Sequence, residues 1–425
     1  MAVTERTKKL TPLLKYPGGK EKELKYILPH LPKDCERFFD PFVGGGAVYF
    51  AISADEYFIN DKSAELVRLY DMIRSGDAVF LRTLEAADAA WRRLEEVSCE
   101  HCGQILAFYD EYRNGLLFTG AGAEDVEKET IETKRLASQT HDGKKITTVA
   151  LREKVHDFVY DNAPQFLALL TESIAFDAEL FLQEEERNLF NKLVRMAKLE
   201  TEKGDLSPED RADNLEGALK AGFYMYFRDL YNHTAEYGIG DAAATAIYLF
   251  VREFCYASMF RYNQNGEFNV PYGGISYNKK SILKKLRYFT DEALREQLAK
   301  SVIECMDFED FLNRFKPREQ DFVFLDPPYD TEFSTYAQNA FGRNAHLRLA
   351  NYLINHCEGK FMLVIKNTDF IRNLYCSGMY TANGGRLYVS SFAKKYMVSF
   401  QERNDKNSEH LMITNYEITG GACAF

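Results

Sequence analysis

The chain has little cysteine, a single tryptophan and no long apolar run. Its eight cysteines are scattered through 425 residues, which predicts free thiols in a reducing cytoplasm. No segment has the length and apolar character of a membrane helix, and no signal peptide is recognisable, so we expect a cytoplasmic protein without membrane contact. Residues 99–102 have the spacing of half a zinc site, but a second C-x-x-C is missing, so we expect no metal.

Basic residues are also few relative to acidic ones, which gives the chain a formal net charge of −11. An acidic protein repels nucleic acids at long range, so any binding to them would need a local basic surface. The chain between Arg252 and Arg287 predicts such a surface. It contains Arg252, Arg261, Lys279, Lys280, Lys284, Lys285 and Arg287 against only Glu253 and Glu267. A run of charged residues usually forms nothing more than a solvated surface. The alternative is that these residues contact phosphates, and the neighbouring turn favours it.

The most informative run is Asp326-Pro327-Pro328-Tyr329. Residues 323–325 are apolar and predict a buried strand that ends at this run. Two prolines remove two N–H donors, so the Asp326 carboxylate and the Pro327 carbonyl can both act as acceptors in one pocket. Two acceptors beside the Tyr329 ring suit a planar exocyclic amine such as that of adenine. A strand ending in a proline-rich turn is the alternative.

A second pattern lies in the first sixty residues. The apolar residues 38–42 predict a strand, Gly44 to Gly46 predict a turn that a ligand can approach, and residues 47–52 predict a helix. Residues 56–59 predict the next strand, and Asp61 follows it where a carboxylate binds ribose hydroxyls. Because the loop lacks the last glycine of the dinucleotide fingerprint, a nucleoside without a pyrophosphate is the better fit. Together with Asp61 and Asp326, the loop indicates S-adenosylmethionine.

Four blocks in this order resemble those of the Dam-like, D12-class DNA adenine N6-methyltransferases of the α group. The blocks are residues 15–20, 40–46, 261–273 and 326–329, and the third is the most specific to the family. The resemblance implies the α/β class: a Rossmann-like S-adenosylmethionine-dependent methyltransferase domain with an inserted, mainly helical target-recognition domain carrying a β-hairpin.

The resemblance also implies roles for individual residues. The catalytic residues would be Asp326, Pro327, Pro328 and Tyr329. The cofactor-binding residues would be Tyr16, Lys20, Asp40, Phe42, Gly44, Gly46, Asp61, Asp307, Phe308 and Asp326. The DNA-binding residues would be Arg261, Asn263, Asn269, Pro271, Lys279, Lys280, Lys284 and Lys285. An ordinary helix cap is the alternative for Asp307.

The recognition segment is predicted to be a hairpin, because Asn265-Gly266 favours a two-residue turn between residues 260–264 and 267–270. Such a ribbon fits the major groove, where Arg261 would grip a guanine edge. Helices are predicted at residues 223–228 and 246–259. Residues 256–259 read Tyr-Ala-Ser-Met where many family members have an aromatic-Asn-Gly-Leu run, so the target sequence, including GATC, does not carry over.

The predicted organisation is a catalytic domain formed by residues 1–78 and 295–425, a helical insertion at 79–220 and a recognition region at 221–294. Within the first part, a helix capped by Ser63 and ending near Gly76 is predicted to cover the sheet. The insertion is a spacer, an additional DNA contact or a partner surface.

The expected activity is methylation of a flipped adenine at specific sites in double-stranded DNA. The protein is expected to act as a monomer or weak dimer, with a restriction endonuclease as a further partner. The alternatives are a methyltransferase acting on RNA or a protein amide and a catalytically silent DNA-binding protein.

Overall fold

The computed structural model describes residues 10–16, 18–32, 35–118, 143–329, 341–382, 384–395 and 407–418. These residues form two compact units. The first consists of the described parts of Met1–Asp77, Phe260–Glu267 and Arg287–Phe425. The second consists of the described parts of Ala78–Met259 and Phe268–Leu286.

The first unit contains a seven-stranded sheet with the order β3-β2-β1-β4-β5-β7-β6. The strands are β1 (Arg37–Asp40), β2 (Glu56–Asn60), β3 (Ser301–Glu304), β4 (Phe322–Leu325), β5 (Lys360–Lys366), β6 (Tyr388–Lys395) and β7 (Asn407–Thr414). β1 to β5 run parallel, and β7 is antiparallel to both β5 and β6. The strands predicted at residues 56–59 and 323–325 are confirmed, and β4 is buried along its whole length, as expected for a strand covered on both faces.

The helices of the first unit lie between these strands. They are α1 (Leu24–Ile27), α2 (Ala64–Ser75), α9 (Leu283–Phe289, which begins in the second unit), α10 (Glu292–Ala299), α11 (Phe308–Phe315), α12 (Arg343–Asn355) and α13 (Asp369–Leu374). α2 begins after Ser63, whose hydroxyl accepts a hydrogen bond from Leu66 N, and ends at Gly76 with φ 62°, as the sequence predicts.

The helix predicted at residues 47–52 is wrong, because only a single 3₁₀ turn, Tyr49–Ala51, forms there. The Tyr49 and Phe50 side chains are buried against the Tyr70 ring, and Ile52 is already extended with φ −106° and ψ 152°. Packing of the two aromatic side chains therefore ends the helical turn before it can propagate.

The order of the sheet determines where a ligand can bind. β1 lies between β2 and β4, so the strand order reverses beside β1, and open α/β sheets bind their ligands at the carboxyl ends of the strands at such a point. Asp40 is the last residue of β1, while Asp61 and Asp326 directly follow β2 and β4. Three carboxylates that the sequence singles out thus lie at one edge of the sheet.

The second unit is helical. Its helices are α3 (Ala78–Phe118), α4 (Gly143–Asp161), α5 (Ala163–Leu167), α6 (Ala178–Lys203), α7 (Pro208–Asn232) and α8 (Asp241–Phe254), and the buried Trp91 packs on Phe250 and Phe254 at its core. The boundary predicted at residue 220 falls inside α7. The helix predicted to reach Met259 ends at Phe254. No described helix combines the length and apolar character needed to cross a bilayer.

Candidate active site

Asp40 lies at the carboxyl end of β1 with only 3% of its surface exposed. Its Oδ1 accepts a hydrogen bond from Phe42 N at 3.2 Å. Burial raises the pKa of Asp40 well above its usual range despite this bond, and repulsion from Asp326 and Asp61 adds to the increase. Burial and the neighbouring carboxylates therefore both disfavour the charged form of Asp40.

Asp61 holds the glycine loop. Its Oδ2 accepts from Gly44 N at 3.1 Å and its Oδ1 from Ser63 N at 2.9 Å, while the Tyr70 hydroxyl donates to Gly44 O at 3.0 Å. Burial raises the pKa of Asp61 above its usual value even though these backbone N–H groups favour the charged form. One carboxylate thus connects the loop after β1 to the start of α2.

The structure gives a different reason for glycine at position 46 from the one predicted. Gly46 has φ 83°, and a Cβ there would lie 2.6 Å from the Phe50 ring and 2.7 Å from the Tyr70 hydroxyl. The protein's own aromatic side chains therefore already require glycine at this position.

Asn60 is a residue whose role the sequence did not reveal. Its side chain is buried, its Nδ2 donates to Pro41 O and Met306 O at 3.1 Å each, and its Oδ1 accepts from Met306 N at 3.0 Å. It joins the loops that follow β1 and β3. The sequence signal that could have identified Asn60 is its position as a polar residue at the end of an apolar strand.

Lys20 connects the first and last blocks of the sequence. Its ammonium donates to Asp326 Oδ1, to Gly18 O at 3.0 Å and to the Tyr329 hydroxyl at 3.2 Å, with only 2% of the residue exposed. The Tyr329 ring lies edge-on to the buried His410, with centroids 5.3 Å apart. The predicted cofactor residue Lys20 is thus in direct contact with two predicted catalytic residues.

Tyr16 lies against the glycine loop. A Cβ on Gly44 would be 3.2 Å from Tyr16 Cδ1, and the Tyr16 ring is edge-on to Phe260 with centroids 5.0 Å apart. The loop is therefore covered by an aromatic side chain from the N-terminal block, which is where the sequence expected the cofactor pocket.

The predicted pair Asp307 and Phe308 lies at the start of α11. Asp307 caps this helix by accepting from Glu309 N at 3.0 Å, and the two Arg348 nitrogens donate to its oxygens at 2.9 and 3.1 Å. Partial burial opposes ionisation, but these hydrogen bonds outweigh it and lower the pKa of Asp307. The centroid of the Phe308 ring lies 5.5 Å from that of Phe42 and 4.9 Å from the Arg348 guanidinium carbon. Asp307 therefore caps a helix, which is the alternative that the sequence left open for this residue. The sequence did not reveal its partner, Arg348.

The predicted hairpin is not formed as two strands, since residues 260–264 and 267–270 belong to none of the strands that the structure describes. Instead, Asn263 N donates to Glu267 O at 2.8 Å around a three-residue loop, in which Gly266 has φ 82°. The Asn263 side chain accepts from Asn265 N at 3.0 Å and from Glu267 N at 2.9 Å. The turn therefore begins one residue earlier than predicted, and these bonds occupy the Asn263 side-chain carbonyl.

Helix α7 supports the second half of the recognition segment. Tyr224, Arg228 and Asn232 are spaced four residues apart on one face of the helix. The first two donate to Val270 O at 2.9 and 3.4 Å, and Asn232 exchanges hydrogen bonds with Phe268 at 2.8 and 3.1 Å. Residues 268–270 are therefore held by side chains that the sequence did not single out.

The basic surface predicted from Arg252 to Arg287 is largely neutralised. Lys279 pairs with Glu95 at 2.6 Å and with Glu216 at 3.3 Å. Lys280 and Lys285 both pair with Glu253, at 3.2 and 3.3 Å. Arg252 is buried with 2% exposure and is not a surface residue. Counting charges along the chain missed Glu95 and Glu216, which helices far away in sequence contribute. The exposed residues of the set include Arg261, Lys284 and Arg287.

A metal site is not evident in the part of the chain that the structure describes, where no three His, Cys, Asp or Glu side chains form a suitable group. His101, in the half zinc motif, has its Nε2 2.5 Å from the Gln165 side-chain oxygen and its ring against Phe158.

Comparison with known proteins gives a family. The model of the D12 class N6 adenine-specific DNA methyltransferases matches residues 16–97 and 182–390, which is more than half of the chain. The matched residues include every catalytic and cofactor-binding residue that the sequence predicts. Residues 98–181 have no counterpart in the family model.

Individual relatives are similar at modest identity. The type II methyltransferase M.CviBI of Paramecium bursaria Chlorella virus NC1A is 24% identical over 413 residues, covering 96% of this chain and all of that protein. The Retron Ec67 DNA adenine methylase of Escherichia coli is 30% identical over 154 residues, covering 36% of this chain and 50% of that protein. The DNA adenine methylase of Haemophilus influenzae is 31% identical over 141 residues, covering 30% of this chain and 45% of that protein.

Proposed function

The chain belongs to the D12 class N6 adenine-specific DNA methyltransferases, and we propose that it methylates a flipped adenine in duplex DNA at residues 326–329, with S-adenosylmethionine as the methyl donor. The observation that carries this proposal is the contact of Lys20 with both Asp326 and Tyr329 at the carboxylate edge of the sheet. It brings the amine acceptor and the aromatic ring of the last block together with the N-terminal block.

The charge of the sheet edge fits a cationic cofactor. Burial raises the pKa of Asp40 and also that of the half-buried Asp61, and repulsion from carboxylate neighbours adds to the increase for Asp40. A positive ligand would relieve this repulsion. The residues proposed to hold it are Tyr16, Phe42, Gly44, Gly46, Asp61, Asp307 and Phe308. When bound, S-adenosylmethionine supplies a methyl group that its sulfonium already makes electrophilic.

The residues of the last block then act on the base. Asp326 and the Pro327 carbonyl accept the two N–H groups of the adenine amine, and Tyr329 stacks on the ring. Fixed acceptors favour the pyramidal nitrogen that must attack the methyl group. Asp326 serves as an acceptor rather than as a general base, because the proton on nitrogen becomes acidic only after methyl transfer.

The base must leave the helix, because its N6 amine is paired inside the duplex. Extrusion costs a few kcal/mol, which stacking in the pocket and contacts to the DNA backbone offset. Among the residues predicted to contact DNA, we assign base reading to the exposed Arg261 and phosphate contact to the exposed Lys284. A restriction endonuclease is a proposed partner, since one relative is a type II methyltransferase by name.

Residues 98–181, which lie outside the family match, are not a DNA contact in this proposal. They contain 15 Asp or Glu residues and 8 Lys or Arg residues, a net charge of −7 out of the −11 of the chain. Such a segment repels phosphates. Of the three roles expected for the insertion, a spacer or a partner surface is therefore favoured.

The proposal is tested by expressing the protein in a host without adenine methylation and sequencing the genomic DNA for N6-methyladenine. We expect methylation at one sequence motif. A parallel assay with purified protein and labelled S-adenosylmethionine compares duplex DNA, RNA and a protein mixture. If RNA or protein becomes labelled and duplex DNA does not, the proposed DNA substrate is wrong.

A further inference from the structure

Two consecutive residues, Ala257 and Ser258, adopt left-handed backbone conformations with φ 53° and 52°. Neither is glycine or asparagine, the residues that enter this region most readily. A side chain with a Cβ is strained there, so the conformation persists only where surrounding contacts hold it. Apart from these two, Lys316 is the one other non-glycine residue with positive φ among the residues that the structure describes. The strain is thus concentrated in the turn formed by residues 256–259.

A buried guanidinium holds this turn. Arg252 lies in the last turn of α8 with 2% exposure, five and six residues before the strained residues. Its two terminal nitrogens donate to Met259 O at 2.6 Å and to Ser258 O at 3.3 Å. The guanidinium carbon also lies 5.6 Å from the centroid of the Phe268 ring. One rigid fork therefore binds the carbonyls of Ser258 and of the residue that follows it.

Backbone hydrogen bonds join the same turn to the second half of the recognition segment. Tyr256 N donates to Pro271 O at 2.8 Å, and Gly273 N donates to Phe254 O at 3.0 Å. The turn is therefore fixed at its start by the main chain, and its end is held mainly by the Arg252 side chain, with a longer contact from Cys255 Sγ to Met259 O at 3.7 Å. Release of the second attachment would let Ala257 and Ser258 relax out of the left-handed region.

We propose that Arg252 is a positioning residue for target recognition. It holds residues 256–259 in the strained turn, so that the chain leaves Met259 in one direction and presents Arg261, two residues later, in one register. The inference rests on the proposed function, since Arg261 is there assigned to base reading. It gives Arg252 a role that fits its burial, which is incompatible with a place in the basic surface predicted from the charge count.

The first variant is Arg252→Lys, which keeps the positive charge and removes the fork. We expect the KM for duplex DNA to rise about ten-fold, which is the effect of losing about 1.4 kcal/mol. Methylation at sites that differ from the target by one base pair should increase relative to the target. The dissociation constant of the cofactor should stay within about two-fold of the wild-type value, because the cofactor residues are not altered.

The second variant adds Ser258→Gly to Arg252→Lys. Glycine enters the left-handed region without strain, so the turn should form again without the fork. We expect the double variant to recover most of the discrimination between target and altered sites. A substitution that merely repaired a general loss of stability would not restore discrimination. If Arg252→Lys alone does not fold, the double variant still tests the inference. Poorer discrimination between target and altered sites in the double variant than in the wild type would overturn it.

Arg211→Lys is the matched control. Arg211 lies in the same unit and donates to Glu200 at 2.7 Å and to Asp110 at 3.2 Å within the helices. Its replacement should lower the melting temperature and leave discrimination unchanged. Equal relaxation by Arg211→Lys, or no recovery in the double variant, would show that Arg252 is only a stabilising residue. If the wild-type protein itself methylates no duplex DNA, the proposed function fails instead, which is a separate outcome.

Discussion

The Lys20 ammonium and the Asp326 carboxylate form an ion pair across 306 positions of the sequence. The same ammonium donates to the Tyr329 hydroxyl at 3.2 Å. The lysine side chain is 1% exposed and that of the aspartate is 18% exposed, so the pair is weakly screened by water. Two residues proposed to hold the target base are therefore oriented by a third before any base arrives.

Asp326→Asn should reduce single-turnover methyl transfer by a factor of about 10² to 10³. The loss of a charged acceptor that acts in the transition state typically costs about 2 to 4 kcal/mol. Duplex affinity should change less than about five-fold, because the recognition segment is unaltered. Asp321→Asn is the matched control. Asp321 precedes the same strand that Asp326 follows and binds Arg37 at 3.1 Å. Asp321→Asn should lower stability without a comparable loss of methyl-transfer rate. Equal methyl-transfer rates for the two variants would refute the catalytic assignment of Asp326.

Lys20→Met should lower kcat by about 10 to 100-fold, with a smaller effect on cofactor affinity. The reason is that its described hydrogen bonds go to Asp326, Tyr329 and the Gly18 carbonyl. Separate titration of cofactor binding and single-turnover chemistry distinguishes this result from the role predicted by the sequence. If the whole loss falls on cofactor affinity, Lys20 is a cofactor ligand and its contact with Asp326 is incidental.

Asp61→Ala should raise the dissociation constant of S-adenosylmethionine about ten-fold or more, measured by calorimetry. It removes both the proposed ribose acceptor and the bond that holds Gly44 N. Ser63→Ala is the control, because it removes only the cap of α2, worth about 1 kcal/mol of stability, and leaves Asp61 in place. Unchanged cofactor binding in Asp61→Ala would show that the ribose assignment is wrong.

Arg261→Ala should cost about 1 to 3 kcal/mol at one base pair and extend methylation to sites altered at that position only. Lys284→Ala should instead weaken all sequences alike and reduce the salt dependence of binding. Lys285→Ala, whose lysine is paired with Glu253, should affect stability more than salt dependence. Methylome sequencing and binding at several salt concentrations separate these results. A uniform loss in Arg261→Ala, without relaxation at any base, would make Arg261 a backbone contact.

Glu185→Gln tests a pH effect in the helical unit. Glu185 is fully buried on α6, where a Cβ on Gly222 would lie 2.7 Å from its carboxyl group. Burial, with repulsion from Glu184, raises the pKa of Glu185 well above 4.5, although the Phe223 N–H favours the charged form. The protonated acid therefore stabilises the fold fully below about pH 4.5, and this contribution is lost as pH rises through the raised pKa.

The loss has a limiting slope of about 1.4 kcal/mol for each unit of pH between the unfolded and folded pKa values. The melting temperature of Glu185→Gln relative to the wild type should therefore increase from pH 4.5 upwards, because glutamine stays neutral. The exposed Glu202→Gln should show no such trend. If the difference in melting temperature between Glu185→Gln and the wild type stays constant across this pH range, Glu185 is not a buried acid with a raised pKa.

Several features followed from the sequence because they depend on neighbouring residues. The apolar run before Asp326 predicted β4, and Ser63 with Gly76 predicted both ends of α2. The order of the four blocks indicated the family that the matched residues show. Strand periodicity and capping are local properties, and a family motif is a property of the chain itself.

Other features were decided by packing between residues far apart in the sequence. Burial of Tyr49 and Phe50 replaced the predicted helix with a single turn. Glu95 and Glu216 neutralise Lys279, although the local charge count showed a basic surface. The sequence placed Lys20 in the cofactor pocket but did not reveal that the fold pairs its ammonium with Asp326. Electrostatic partners depend on distance in space, so only the tertiary structure determines which charges meet and which remain exposed.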